Sequence, residues 1–149
     1  MKIDIKKFQD LSLEEKKEVL EWRNDKTIRE FMYDKEPILL ENHLNFINNL
    51  DDSRVYLKAD DIGVINFRIK NNFAEIGLHK NPNKQKVGNI LMNTLINYGF
   101  NTLKLDKLIL YVFENNKKAI NLYKNFGFNE VDKKDNFIKM ELTNENRKN

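Results

Sequence analysis

One stretch limits what this chain can fold into more than any other: Glu114-Asn115-Asn116-Lys117-Lys118-Ala119-Ile120-Asn121-Leu122-Tyr123-Lys124-Asn125-Phe126-Gly127-Phe128. It reads as the exit of a β-strand, a capped helix and the entry to the next strand. Ala119, Leu122, Tyr123 and Phe126 recur at three- and four-residue steps and so share one helical face. Asn115 or Asn116 can cap the start, and Gly127 falls where a left-handed residue commonly ends a helix. The segment therefore fixes a phenol, Tyr123, at one point on a helix. Taken alone, a tyrosine on an apolar face is a core aromatic with its hydroxyl at the rim. What more this phenol does depends on the rest of the chain.

The 149 residues fit one domain, and 40% apolar content with 11% aromatics fills one sizeable core. Residues 1–143 are expected to form that domain, with 144–149 a disordered polar tail. No run of about 18 apolar residues exists to span a membrane, and the charged N-terminus does not read as a signal peptide. A cytoplasmic location is therefore expected. The absence of cysteine removes disulfides, thiolate nucleophiles and Cys-ligated zinc together. His43 and His79, the only histidines, make a protein metal site an unfavoured expectation. A net charge of +3, with both signs interspersed, is too mild for a nucleic-acid surface.

The chain opens with an alternating strand, Lys2 to Phe8, and Ser12 with Glu15 then forms a capping box. Behind it, Leu13, Val19, Leu20 and Trp22 predict a helix ending near Arg23-Asn24. A short helix over 26–31, an irregular stretch with Pro37, and a helix over 41–50 with Leu44, Phe46, Ile47 and Leu50 on its apolar side follow. Arg54 to Ala59, Gly63 to Lys70 and Phe73 to His79 read as an antiparallel meander, separated by Asp60-Asp61 and Asn71-Asn72. After Pro82, a helix over 85–103 carries Val87, Leu91, Leu95 and Tyr98 at helical spacing. Leu108 to Phe113 is an apolar, hence central, strand. The Tyr123 helix and strands over 128–132 and 137–142 complete the order.

This order, with the Asn-x-x-Ala-x-x-Leu-Tyr-x-x-x-Gly-Phe segment, resembles the GNAT acetyltransferase superfamily from about Lys2 to Leu142. The resemblance implies an α+β fold, a mixed seven-stranded sheet flanked by helices, with acetyl-CoA as co-substrate and no metal. It also puts Tyr123 beside the acetyl-CoA sulfur as a candidate general acid. In that family the loop before the long helix wraps the coenzyme A pyrophosphate with an Arg/Gln-x-x-Gly-x-Gly/Ala pattern. Here Asn83 and Lys86 stand at the leading and first glycine positions, and only Gly88 remains. A helix start still offers free amides to an anion. Lys84, Gln85, Lys86, Val87, Gly88 and Asn89 are thus the expected pyrophosphate loop, with Lys84 and Lys86 adding charge.

The two strands ending near Leu78 to Lys80 and Tyr111 to Phe113 are expected to diverge, leaving amides that pantetheine can pair with. Leu78 and Lys80 would give backbone groups there, and Asn116 a side-chain amide or simply a helix cap. With no cysteine for an acyl-enzyme, the amine would attack the thioester directly. Some family members place a glutamate twelve residues before the tyrosine; here that position is Tyr111. Glu75, His79 and Glu114 are the candidate bases, with water as the alternative.

Glu21-Trp22-Arg23-Asn24, Phe31-Met32-Tyr33, His43-Leu44-x-Phe46 and Gly77-Leu78-His79-Lys80-Asn81-Pro82 resemble the bacterial pseudaminic-acid-pathway N-acetyltransferases. That similarity implies acetylation of the 4-amino group of a UDP-linked 4-amino-4,6-dideoxy sugar, on the route to flagellin glycosylation. Arg23 and His43 would then meet the diphosphate or sugar, Met32 and Tyr33 the 6-methyl group, and His79 the acetyl site. Ribosomal-protein or peptide acetylation, and a non-catalytic acyl-CoA sensor, are the alternatives. A homodimer is a further expectation from the resemblance.

Overall fold

The computed structural model describes residues 3–32 and 34–147. Strand β1 (Ile5–Lys7) leads through a 3-10 turn into helices α1 (Leu13–Asn24), α2 (Lys26–Arg29) and α3 (Leu40–Asn48). The meander β2 (Arg54–Ala59), β3 (Gly63–Lys70) and β4 (Phe73–Lys80) follows, then α4 (Gly88–Asn97), β5 (Lys107–Phe113), α5 (Lys117–Asn125), β6 (Asn129–Lys134) and β7 (Phe137–Thr143). The seven strands form one sheet in the order β1-β2-β3-β4-β5-β7-β6. All its pairs are antiparallel except β4 with β5, so the mixed sheet expected from the sequence is present.

Strand alternation sorts the side chains onto two faces. On one lie Leu57, Ile65, Phe67, Ala74, Ile76, Leu108, Leu110, Val112 and Met140, packed with Leu91, Met92 and Leu95 of α4 and Ile120 of α5. This is the large core. The opposite face carries Val64 beside Val19 and Trp22 of α1 and Ile47 of α3, a much smaller cluster closed by Phe8 and Leu11.

Several boundaries differ from the sequence reading for local reasons. Ser12 and Glu15 do make both halves of the capping box, yet Leu13, the first helical residue, is 55% exposed rather than core. The α3 residues that are buried are His43 and Ile47, four apart on one face. The helix expected from Gln85 begins at Gly88, because Lys86 takes a left-handed φ of 59° that no α-helix can propagate. At its far end α4 widens into a π-helical turn, Tyr98–Thr102, before Leu103. The Tyr123 helix is capped by Asn116, whose Oδ1 accepts from the Ala119 amide, and Ile120 is its most buried residue. Gly127 holds φ 102°, the conformation its position predicted. At the C-terminus, Asn144–Asn146 form a 3-10 turn, with the Asn144 amide donating to the Asp106 carbonyl. The expected disorder from 144 is thus not seen through Arg147. No helix among the described residues is long and apolar enough to cross a membrane.

Candidate active site

Strands β4 and β5 are paired only over Phe73, Ala74 and Glu75 against Lys107, Leu108 and Ile109. Beyond that point β4 continues to Lys80 against β3, and β5 continues to Phe113 against β7, with no ladder between them. The two inner edges therefore present unpaired backbone donors and acceptors toward a shared gap, which is the divergence expected at Leu78 to Lys80. An extended chain with amides of its own can complete such a gap.

Two helices border this end of the sheet. At the start of α4 the capping position is Val87, whose side chain has nothing to donate to or accept from the first amides. Those amides are thus free for an anion. A Cβ on Gly88 would lie 3.3 Å from Leu122 Cδ2, so the α4 start and the Tyr123 helix touch. Buried Asn81 shapes the loop between β4 and α4: its Nδ2 donates to the Asp61 carbonyl and its Oδ1 accepts from the Asn83 amide. Lys84 is tied to Asp61 at 2.9 Å, and its carbonyl accepts from Lys80 Nζ at 2.8 Å. Gln85, Lys86 and Asn89 are exposed, and Val87 is in the core. Sequence reasoning missed Asn81, whose role shows only once its distant partner Asp61 is placed beside it.

Tyr123 is half-buried, its ring 5.9 Å from that of Phe128. Burial pushes its pKa up to about 12, so the phenol stays protonated at neutral pH. It makes no hydrogen bond to another described residue through its hydroxyl.

On the opposite face, alternation from Val64 brings Glu75, His79 and Tyr56 to the side covered by α1. The His79 Nε2 and Arg23 Nη1 atoms are both buried with no hydrogen-bond partner among the described residues. Burial, then the nearby Arg23 guanidinium, pushes the His79 pKa down to about 4. The imidazole is therefore neutral at physiological pH. Burial also lowers the Arg23 pKa, against a smaller opposing pull from Asp34. Arg23 Nη2 donates to the Asp34 carbonyl at 2.8 Å, so only part of its guanidinium is free. Asn24 clamps Ile38 through both its amide atoms, at 2.8 and 2.7 Å, and Arg29 Nη1 holds the Lys35 carbonyl at 3.0 Å. The Arg23-Asn24 pair thus orders the loop after α2, a role the sequence reading did not assign.

Other sequence candidates lie elsewhere. His43 is buried, 6% exposed, with Nε2 2.9 Å from the Lys16 carbonyl and its ring against Phe8. Burial lowers its pKa as well. The structure does not bring it to the cleft, because the Ile47 face of α3 turns inward. Glu114 is ion-paired to Lys133 at 2.8 Å, which lowers its carboxyl pKa and holds it ionised. Met32 lies on the loop after α2 and is half-buried. Tyr33 falls outside the described residues. Tyr111, in the glutamate position, is 40% exposed. No group of three or more His, Asp or Glu suited to a metal occurs among the described residues.

Residues 16–128 match the model of the acetyltransferase (GNAT) family. The chain belongs to that family. This acetyltransferase is also 39% identical, over 142 residues, to the acetyltransferase PseH of two Campylobacter jejuni strains, a match covering 91% of this chain and 90% of each relative. The crystal structure of C. jejuni PseH in complex with acetyl coenzyme A superposes with a TM-score of 0.80 at 35% identity, covering 96% of this chain and 99% of that one. A Vibrio cholerae spermidine N-acetyltransferase, solved with CoA and spermine, shares the fold at 20% identity and a TM-score of 0.78, covering 97% and 96% of the two chains. The protein is accordingly an acetyl-CoA-dependent N-acetyltransferase.

Proposed function

We propose that this enzyme transfers acetyl from acetyl-CoA to the 4-amino group of a UDP-linked 4-amino-4,6-dideoxy sugar, a step of pseudaminic acid biosynthesis. The observation that carries the reading is the 39% identity across 91% of the chain to the C. jejuni PseH proteins. Arg23 Nη1 and His79 Nε2, buried and without a partner among the described residues, support a polar acceptor on the α1 face. A cytoplasmic location fits a nucleotide-sugar substrate.

In this reading, pantetheine lies between β4 and β5 beside Leu78 and Lys80, and the pyrophosphate meets the amides at the α4 start. Lys86, exposed and without an ion-pair partner among the described residues, adds positive charge there. The neutral amine attacks the thioester carbonyl, the C–N bond forms and the C–S bond breaks. Tyr123 gives its proton to the departing thiolate, and the proton of the new ammonium leaves to His79 or to water. Neutral His79 has an open Nε2, but its depressed pKa makes it a weak acceptor, which favours water as the final destination.

The test is acetyl-CoA-dependent thiol release with the UDP-4-amino-4,6-dideoxy sugar, beside a ribosomal N-terminal peptide and an amine-free control. Sugar-dependent release is the expected result. Peptide-dependent release would move the function to protein acetylation, and acetyl-CoA binding without release from either amine would overturn the sugar assignment.

A further inference from the structure

Asn66 of β3 and Gly77 of β4 are register partners, two residues past Glu75, where the pairing of β4 to β5 stops. They sit where the two strands have just parted. Alternation from Val64 turns the Asn66 side chain to the α1 face, which also carries Tyr56, Glu75 and His79. A Cβ built on Gly77 would stand 3.0 Å from both Oδ1 and Nδ2 of Asn66. The carboxamide therefore lies over the Gly77 backbone and reaches from β3 across β4 toward the gap.

The fold by itself asks for neither residue. Gly77 lacks the left-handed φ that calls for glycine at Gly127, and a glycine inside a strand weakens it. What its missing side chain leaves is room, and the Asn66 carboxamide fills that room. Asn66 is only partly buried, and its side chain bonds to no described residue. One donor pair and one carbonyl oxygen are thus left open on the face where Arg23 Nη1 and His79 Nε2 also lack partners.

We infer that Asn66 Oδ1 receives the acceptor's amine, accepting one N–H so that the nitrogen lone pair points at a thioester held in the β4–β5 gap. This contact rests on the placing of coenzyme and acceptor proposed above and requires only that the acceptor be a primary amine. The lone pair attacks the carbonyl carbon, the C–N bond forms and the C–S bond breaks. The departing sulfur takes the Tyr123 proton, and the surplus proton on nitrogen passes to water. A neutral carboxamide takes no proton itself. Its carbonyl dipole holds the nitrogen more tightly as positive charge builds there, and a contact that strengthens toward the transition state raises kcat.

The experiment compares thiol release by the wild type, Asn66→Ala, Gly77→Ala, the double variant and Asn66→Asp, with acetyl-CoA affinity and Tm measured on each. The amine is whichever of the amino sugar and the ribosomal peptide the wild type acetylates. Activity with the peptide alone would topple the sugar assignment and leave the Asn66 comparison intact. Asn66→Ala should lower kcat by about tenfold to a hundredfold, with acetyl-CoA affinity and Tm near the wild-type values. Gly77→Ala keeps Asn66 but pushes its carboxamide aside, and should lose nearly as much. Once Asn66 is alanine, Gly77→Ala should cost less than about threefold more. Asn66→Asp puts a carboxylate, which can take the proton, at the same point. Its kcat/KM profile should gain an acid-side ionisation, while Tyr56, Glu75, His79 and Arg23 are the same in both proteins. Turnover of Asn66→Ala within about threefold of wild type, or losses that simply add in the double variant, overturns the contact. An Asn66→Asp profile that follows the wild type's overturns it as well. If Asn66→Ala proves poorly folded, Gly77→Ala and Asn66→Asp carry the same decision.

Discussion

The two faces of the sheet are built to opposite rules. Beneath α4 and α5, Phe67, Leu91, Met92, Leu95, Leu108 and Met140 are sealed from solvent at 0–1% exposure. Beneath α1 and α2, the same strands carry Glu75, Tyr56 and His79, and two buried nitrogens there have no partner among the described residues. Unpaired buried nitrogens cost stability, so a chain selected for stability alone would have filled that face with carbon. In the proposed reading, one face would hold the coenzyme site rigid, while the other, apart from its smaller Val64 cluster, would stay polar for the acceptor.

The sharpest way to break this contrast is to damage each face and ask what is lost. Phe67→Ala, on the sealed face, should lower unfolding free energy by about 3–5 kcal/mol in denaturant melts. A loss under about 1 kcal/mol would mean that this face is not the chief source of stability. Tyr123→Phe should cut kcat by about 10²–10³-fold while leaving acetyl-CoA affinity and Tm near their starting values. Unchanged turnover with the true amine would remove Tyr123 as the proton donor.

His79→Leu tests the open face. Above about pH 6.5 the histidine is neutral in both states, and replacing it should change stability by no more than about 1 kcal/mol while raising the acceptor KM. Its folded pKa of about 4 lies below the ordinary histidine value. Between those values the unfolded chain binds the proton and the folded one does not, so wild-type stability falls as pH drops from about 6.5 to 4. That loss is on the order of 2–3 kcal/mol, and the leucine variant should escape it. His43 is present in both proteins, so the difference isolates His79. Parallel stability curves would show that the burial of His79 has been misread. The smallest effect is expected from Gly88→Ala. Its new Cβ would press on Leu122 by a few tenths of an ångström, against a gain in helix propensity of up to about 1 kcal/mol. Thermal melts should barely move. A large loss of acetyl-CoA affinity at constant Tm would show that close ligand approach, rather than helix packing, is what requires the glycine.

Elements that carry their own signals were legible in the sequence. Ser12 with Glu15, Asn116 and Gly127 each mark a helix end through local hydrogen bonding or backbone freedom, and the meander declares itself through turns at Asp60 and Asn71, both at positive φ. The loop before α4 was less legible because a lysine, Lys86, occupies a left-handed position that nothing in its side chain advertises. A histidine reads as functional in a sequence, and the structure buries His43 on the inward face it shares with Ile47, four residues on. A cavity at the end of β5 was invisible for a different reason: Phe31, Lys35, Phe113 and Asn136 come from three separate stretches of chain, and it takes both the register of β5 against β7 and the placing of the loop after α2 to gather them.

The three-rung ladder between β4 and β5 has a mechanical consequence. One half of the molecule, β1 to β4, is stitched to the other, β5 to β7, by very few backbone bonds, so this seam is where the sheet should breathe first under native-state hydrogen exchange. A pantetheine arm lying in the gap would act as an extra thread across the seam. Coenzyme would then be a folding partner as well as a reactant, and the enzyme's lifetime would rise and fall with its supply.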